Sequence, residues 1–469
     1  MKKMYIFGLL LSLSTAAQAQ LKFEKIIGET DGEDVGRSVI KTNDGHYVMA
    51  GKKEANNNID IFLLKTSTDG TTVWEKTFGS SEEEDAYAVL ELADGGFMVL
   101  GYDYGAGTMF YRTDASGNLL WSKTVTSPVK CFDFVRTPDN GFALIGEHTG
   151  FFADYLIYLI RTNSDGDTLW TRQFGQGNNV NTPYSLALTT DGGFVLTGET
   201  TSPPTAGEND IFLIRTDANG NQLWDKRFGT PALIEQGYSV LPTSDGGFLV
   251  GGTTIDVLFS SSSGFLIKTD ANGDTLWTRT YDFSKDYLFN QIEDVVLTAD
   301  GGYALCGWAG DFSGDIFGFI HRTDTLGAVV QTRQYYGAGI CTLRSVALSD
   351  DGELVATGFT QGSLLGLPDI YLLKTNDVVL STTKPIEPFA SISPNPAKRG
   401  HHWQITLAET PSLAERRWTL TDLNGKTVWQ LNTTATQVNI PVPQAGNTFV
   451  LTLISHTGKT VSRKLLSVD

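Results

Sequence analysis

Cysteine is scarce in this chain: Cys131, Cys306 and Cys341 are the only three in 469 residues. An odd, sparse set lying in or beside apolar runs excludes a disulfide-stapled framework, and no Cys/His spacing matches a zinc site. Buried free thiols are expected, with a Cys306–Cys341 bridge as the alternative. Long apolar runs are lacking too. The one at the N-terminus, Met4 to about Leu13, falls short of the roughly 18 to 20 residues that a membrane span needs. Charged residues make up only 19% of the chain, and the excess is acidic, with a formal net charge of −18. That balance opposes binding to nucleic acid or to an anionic membrane. Catalytic signatures are missing as well: there is no H-E-x-x-H, no G-x-S-x-G, no Walker loop and no S-x-x-K set.

What is present begins with a leader. "MKKMYIFGLLLSLSTAAQAQ" has two lysines, an apolar stretch and an A-x-A pattern at Ala17 and Ala19, which reads as a secretory signal peptide spanning 1–19 and cut before Gln20. Its removal takes Lys2 and Lys3 and moves the net charge from −18 to −20. No cysteine follows the cut, so a lipid anchor is not expected, and no transmembrane segment remains after cleavage.

Glycine is plentiful, at 50 residues, and it recurs in register. A "DGG-aromatic" phrase occurs seven times, at Asp44, Asp94, Asp139, Asp191, Asp245, Asp300 and Asp351. An "RTD"-like phrase falls between the copies at Lys65, Arg112, Arg161, Arg215, Lys268, Arg322 and Lys374. Trp74, Trp121, Trp170, Trp224 and Trp277 follow at intervals of 47 to 54 residues, with Val330 continuing the spacing. Self-similarity at a period of about 50 marks a repeat architecture. Each unit holds four short runs rich in Val, Ile, Leu, Phe and Thr, bounded by Asp, Asn and Gly, and apolar on both faces. Small four-stranded sheets, each covered by its neighbours, make a β-propeller.

The seventh unit lacks an outer strand of the "W-x-K-x-F-G" kind. "FEKIIG" at Phe23–Gly28 aligns with "WEKTFG" at Trp74, so the N-terminal strand is expected to complete the last blade. In "DANGNQLWDKRFG", from Asp217, Asp and Asn suit a hairpin turn, Gly suits positive φ, and Trp224 suits packing between blades. The repeat consensus resembles the SBBP-type β-propeller repeats of exported bacterial proteins over about residues 21–376. The resemblance implies an all-β, seven-bladed propeller over 20–376 and says little about activity.

Residues 377–391 have the Pro, Ser and Thr mixture of a linker. From 392 to 469, alternating runs with "NG" and "TG" turns predict a small antiparallel, Ig-like β-sandwich. Its motifs are "PNP" at Pro394, Asn395 and Pro396, "DLNGK" including Asp422, Gly425 and Lys426, then Gly446 and "GKTVSRKLL". In order at the C-terminus, these resemble the type A sorting domain of the type IX secretion system of Bacteroidetes. Thr448 stands where that family usually has an aromatic. The resemblance implies delivery through the periplasm by the type IX machinery, the partner of this domain, to the outer cell surface or the medium.

Candidate site residues fall into two groups. Acidic residues gather where one blade crosses to the next, and Asp34, Asp85, Glu235 and Glu293 could hold Ca²⁺ or act as a general acid and base; a solvated rim is the other reading. The loops between second and third strands vary in length, and Phe151, Phe152, Tyr155 and Phe259 could stack on sugar rings or anchor a protein, or could pack within their own loops. A non-enzymatic module binding glycan or protein is the favoured expectation, because an enzyme should break the repeat with unique catalytic residues. A secreted polysaccharide hydrolase or lyase using axial carboxylates is the alternative.

Overall fold

The structure, a computed structural model, describes residues 21–375 and 389–468, apart from 29–31, 56–57, 149–155, 176–179, 202–208, 231–232, 283–286, 363–366, 394–396, 399–401, 408–415, 423–425, 434–436, 442, 444–447 and 455–459. Seven four-stranded antiparallel sheets follow one another along residues 21–375. Blade one consists of Val35–Lys41, Tyr47–Ala55, Asn58–Thr66 and Thr72–Phe78. The first strands of the later blades are Glu84–Glu91, Val129–Arg136, Asn181–Leu188, Leu233–Pro242, Phe289–Leu297 and Ile340–Leu348. Each contacts the first strand of the next blade, and the seventh contacts the first. They therefore surround a central axis, and the fold is a seven-bladed β-propeller.

Blade seven takes Ile340–Leu348, Leu354–Gln361 and Asp369–Thr375 from the end of the repeat and Leu21–Ile27 from the N-terminus, in that order from inside to outside. Phe23 pairs with Lys374 as Trp74 pairs with Lys65. The N-terminal strand closes the ring.

The core lies between blades. Seven apolar clusters each join two neighbouring sheets; one unites Val48, Ile61 and Leu63 of blade one with Val89, Phe97 and Val99 of blade two. The seventh cluster joins blades seven and one and includes Phe23 and Ile27 at its margin. Each fully buried Val, Leu, Ile or Phe contributes about 1.5 to 3 kcal/mol by leaving water, so the two apolar faces of the second and third strands of each blade are the main driving force. Cys131, Cys306 and Cys341 are buried in these layers as free thiols.

The two repeated phrases meet. In every blade the Asp of "DGG" pairs with the basic residue of "RTD": Asp44 with Lys65 at 2.7 Å, Asp300 with Arg322 at 2.6 Å, Asp351 with Lys374 at 2.8 Å, and likewise in the other four. The "DANGNQLWDKRFG" phrase is a joint between blades. Asp217 accepts backbone N–H bonds from Asn219 and Asn221, and Gly220 turns the chain at φ 75°. A Cβ on Gly220 would meet Trp170 of the preceding blade at 2.6 Å, and Trp224 lies in the same way against Gly273 of the next. Lys226 donates to Asp274 across that joint at 2.8 Å.

One expectation needs correcting. Register places Gln331, opposite Arg322, at the tryptophan position of blade six, and Val330 is its exposed neighbour. Counting four residues on from the positive-φ glycine of each turn, Gly273 or Gly327, gives Trp277 and Gln331, whereas the apolar character of Val330 suggests the wrong residue.

The C-terminal residues form two further sheets, of three and five strands. Trp403 in His402–Leu407 and Trp418 in Arg416–Asp422 lie in different sheets and are both fully buried. All pairings are antiparallel except one, where the two-residue strand Ala397–Lys398 runs parallel to the last strand. Among the sorting motif residues, Asp422 ends a strand and Lys426 is exposed. Pro394, Asn395, Pro396, Gly425 and Gly446 lie outside the described residues.

Candidate functional site

Every first strand carries a β-bulge, which leaves one residue without a partner on the second strand: Arg37, Tyr87, Phe132, Tyr184, Tyr238, Glu293 and Arg344. A bulge re-aims its side chain, and on the innermost strand the free direction is toward the axis. All seven residues are half-buried, and they meet from blade to blade. Tyr87 and Phe132 stand edge to face at 5.7 Å, while Phe132 and Tyr184 at 6.4 Å and Tyr184 and Tyr238 at 4.8 Å are tilted. Four aromatic rings thus cover one arc around the axis. The remaining arc is ionic: Arg344 donates to Glu293 at 3.0 Å, and Arg37 donates to Asp85 at 2.8 Å and lies 5.8 Å from the Tyr87 ring.

Toward the face where the blades cross, the ring gains a polar layer. Glu199 accepts bonds from Tyr184 Oη at 2.9 Å, Asn209 at 2.7 Å and Gln236 at 2.8 Å, and Gln236 in turn accepts from Tyr238 Oη at 2.7 Å. Lys130 lies among the rings of Tyr87, Tyr102, Tyr104 and Phe132, with its ammonium 5.2 to 5.8 Å from their centres. Burial pushes this ammonium below the usual lysine range, and the nearby charge of Asp85 partly opposes the shift.

On the other side of the ring is a belt of small polar groups. Asp133 accepts from the backbone of Leu186, Ser345 from Val39, Ser185 from Val240 and Asp294 from Val346, each across a blade boundary. Burial pushes Asp133 up to about 7 and Asp294 up to about 6.

Of the four carboxylates singled out in the sequence, the structure brings Asp85 and Glu293 to the axis, each engaged by an arginine. Asp34 and Glu235 are buried at the blade crossings, where they accept backbone N–H bonds from Glu54 and Thr230, both at 2.8 Å. Among the described residues, no group of three or more His, Cys, Asp or Glu side chains is placed to hold a metal ion.

Phe259 is 63% exposed at the tip of the hairpin joining Phe248–Asp256 to Ser262–Thr269, with φ at 55°. Phe151, Phe152 and Tyr155 lie outside the described residues. The same face carries two exposed aromatics that sequence reasoning missed, Tyr104 and Phe312, the latter edge-on to Phe289 at 4.8 Å. The axial ring was also missed, although each bulge residue stands seven positions before the Asp of its "DGG" phrase.

No helix among the described residues is long and apolar enough to cross a membrane. No family model and no curated protein matches the chain. Solved structures do. A protein of unknown function from Dyadobacter fermentans is 12% identical, with 76% of this chain and 99% of that one covered at a TM-score of 0.47. One of unknown function from Bacteroides caccae is 13% identical, with 64% and 97% covered at 0.42. PorZ of Porphyromonas gingivalis, described as an essential surface component of the type IX secretion system, is 10% identical, with 94% of this chain and 60% of that one covered at 0.45.

Proposed function

We propose that this chain is an exported, non-enzymatic β-propeller that binds a glycan at the crossing-face mouth of its axial channel. The observation that carries the reading is the arc of Tyr87, Phe132, Tyr184 and Tyr238 beside the polar set of Glu199, Gln236 and Glu293. Aromatic faces stack on the apolar face of a sugar ring, while carboxylates and amides bond its hydroxyls. Phe259 and the loops around it would extend the contact beyond the mouth. The signal peptide and the sorting-domain motifs support export by the type IX machinery, ending on the outer surface or in the medium. The hydrolase or lyase reading draws less support, because Asp85 and Glu293 are each held by an arginine.

A glycan array and a panel of surface proteins, probed with the full-length protein and with Tyr184→Ala and Tyr238→Ala, test the reading. A glycan whose affinity drops roughly two- to tenfold in both variants is the expected result, on the basis that a lost ring stack costs about 0.5 to 1.5 kcal/mol. Affinity that survives both changes but falls when the "DGG" face is altered would move the site elsewhere. A protein ligand, or turnover of a polysaccharide, would replace the glycan reading.

A further inference from the structure

Three of the seven blade crossings carry a pair of acids at matching positions, and the other four carry none there. The third strand carries Asp60, Asp210 and Asp369 five residues before its basic "RTD" residue in blades one, four and seven. In the blade that follows, the residue three before the bulge is Glu84, Glu235 and Asp34 respectively. Where the third-strand residue is instead Gly107, Leu156, Ser263 or Phe317, its counterpart is Val129, Asn181, Asn290 or Cys341. The acids occur in pairs or not at all. Neutral residues fill the same position elsewhere in the ring, so the scaffold itself has no need of them.

Two of the three pairs close on a glycine. A Cβ on Gly79 would collide with Asp60 Oδ1 and lie 2.6 Å from Glu84 Oε2, and one on Gly28 would collide with Asp369 Oδ1 and lie 2.9 Å from Asp34 Oδ2. In both crossings, glycine leaves a notch into which two carboxylate oxygens face. Glu84 is fully buried, and its Oε2 has no hydrogen-bond partner, while its Oε1 accepts from the backbone of Ser80 at 2.8 Å. Like charges brought together in a buried place are unfavourable unless a positive charge comes between them.

We infer that these three crossings are calcium sites, each built on two acids at matching positions, which in the first and last crossings face one glycine notch. The ion would fill the rest of its shell with backbone carbonyls and water, as a flexible oxygen-liganded cation does. In the first crossing, the Asn58 side chain donates to Asp60, and Ser80 Oγ donates to Asp103, the residue paired with Glu84 across the strands. This inference is independent of the glycan reading.

Isothermal titration of the chelator-treated, full-length protein with CaCl₂ tests it. Three calcium ions per chain are expected, with affinity at or below roughly 1 mM, the range of extracellular calcium modules. The double change Asp60→Ser with Glu84→Asn copies the neutral crossing formed by Ser263 and Asn290, so a folded protein that binds two ions is expected. Asp210→Ser with Glu235→Asn should give the same count by removing a different pair. No uptake of calcium by the unaltered protein, or an unchanged count in both variants, would overturn the inference.

Discussion

Asp133 and Asp294 sit in the belt that stitches the first strands together, and both are raised from the ordinary aspartate range by burial, to about 7 and about 6. The folded protein therefore holds protons on them that the unfolded chain releases above about pH 4. Their contribution to stability is complete below that pH and is lost as pH rises through 6 and 7. Asp245, of the fifth "DGG" phrase, acts in the opposite sense. Against the cost of burial, bonds from Thr243 and Lys268 hold Asp245 down at about 2, so what it contributes is lost only as pH falls toward that value. Urea unfolding between pH 5 and pH 8 should show the midpoint decline toward pH 8, and Asp294→Asn should flatten the decline. A midpoint that climbs steadily across this range would contradict the assignment. Trp170 offers a second test at this scale. It is half-buried against Gly220 of the next blade, and Trp170→Ala should cost about 2 to 3 kcal/mol in a denaturant melt, toward the low end for a buried aromatic.

At the scale of the strand, Leu21–Ile27 matters more than its place at the chain end suggests. It pairs with Ile370–Thr375, and Tyr371 Oη donates to Glu24 at 2.7 Å. Deleting residues 21–28 should lower the melting temperature far more than the loss of eight terminal residues ordinarily does; an unchanged temperature would mean the ring closes otherwise. This closure was legible in the sequence, because "FEKIIG" copies a phrase whose partner is missing elsewhere. The bulges were not. A run such as "YSLALTT" reads as unbroken alternation, and only pairing with the second strand reveals that Tyr184 is the residue left over. The fixed distance to the "DGG" aspartate was the available signal, but it has meaning only once that residue is known to face an axis. The crossing acids were recognised as a cluster, yet adjacent positions diverge: Glu84 turns into the crossing, while Asp85 reaches Arg37 at the channel.

For the whole molecule, the seven apolar layers depend on neighbouring blades, whereas Trp403 and Trp418 are buried within the C-terminal sheets. The proposed export route then predicts that deletion of residues 388–469 leaves a folded propeller in the periplasm. Cell fractionation with a thermal melt of the recovered protein checks both halves, and normal amounts of the truncated protein outside the cell would refute the route.

The closing strand also bears on when the molecule can become whole. Glu24 and Tyr371 are 347 residues apart, and the chain leaves the ribosome with the outer strand of blade seven first and the rest of that blade last. Six blades can stack as an open arc while the seventh is still being made, but the seam between blades seven and one cannot form until both ends exist. Contacts so distant along the chain are slow to form, because the entropy of closing the loop is lost before the pairing gives anything back. A permuted chain that moves residues 21–28 to follow Thr375 would make that last pairing local. It should refold faster than the natural order while reaching the same ring, as stopped-flow fluorescence of the tryptophans would report; equal rates would show that shutting the seam is not the slow step.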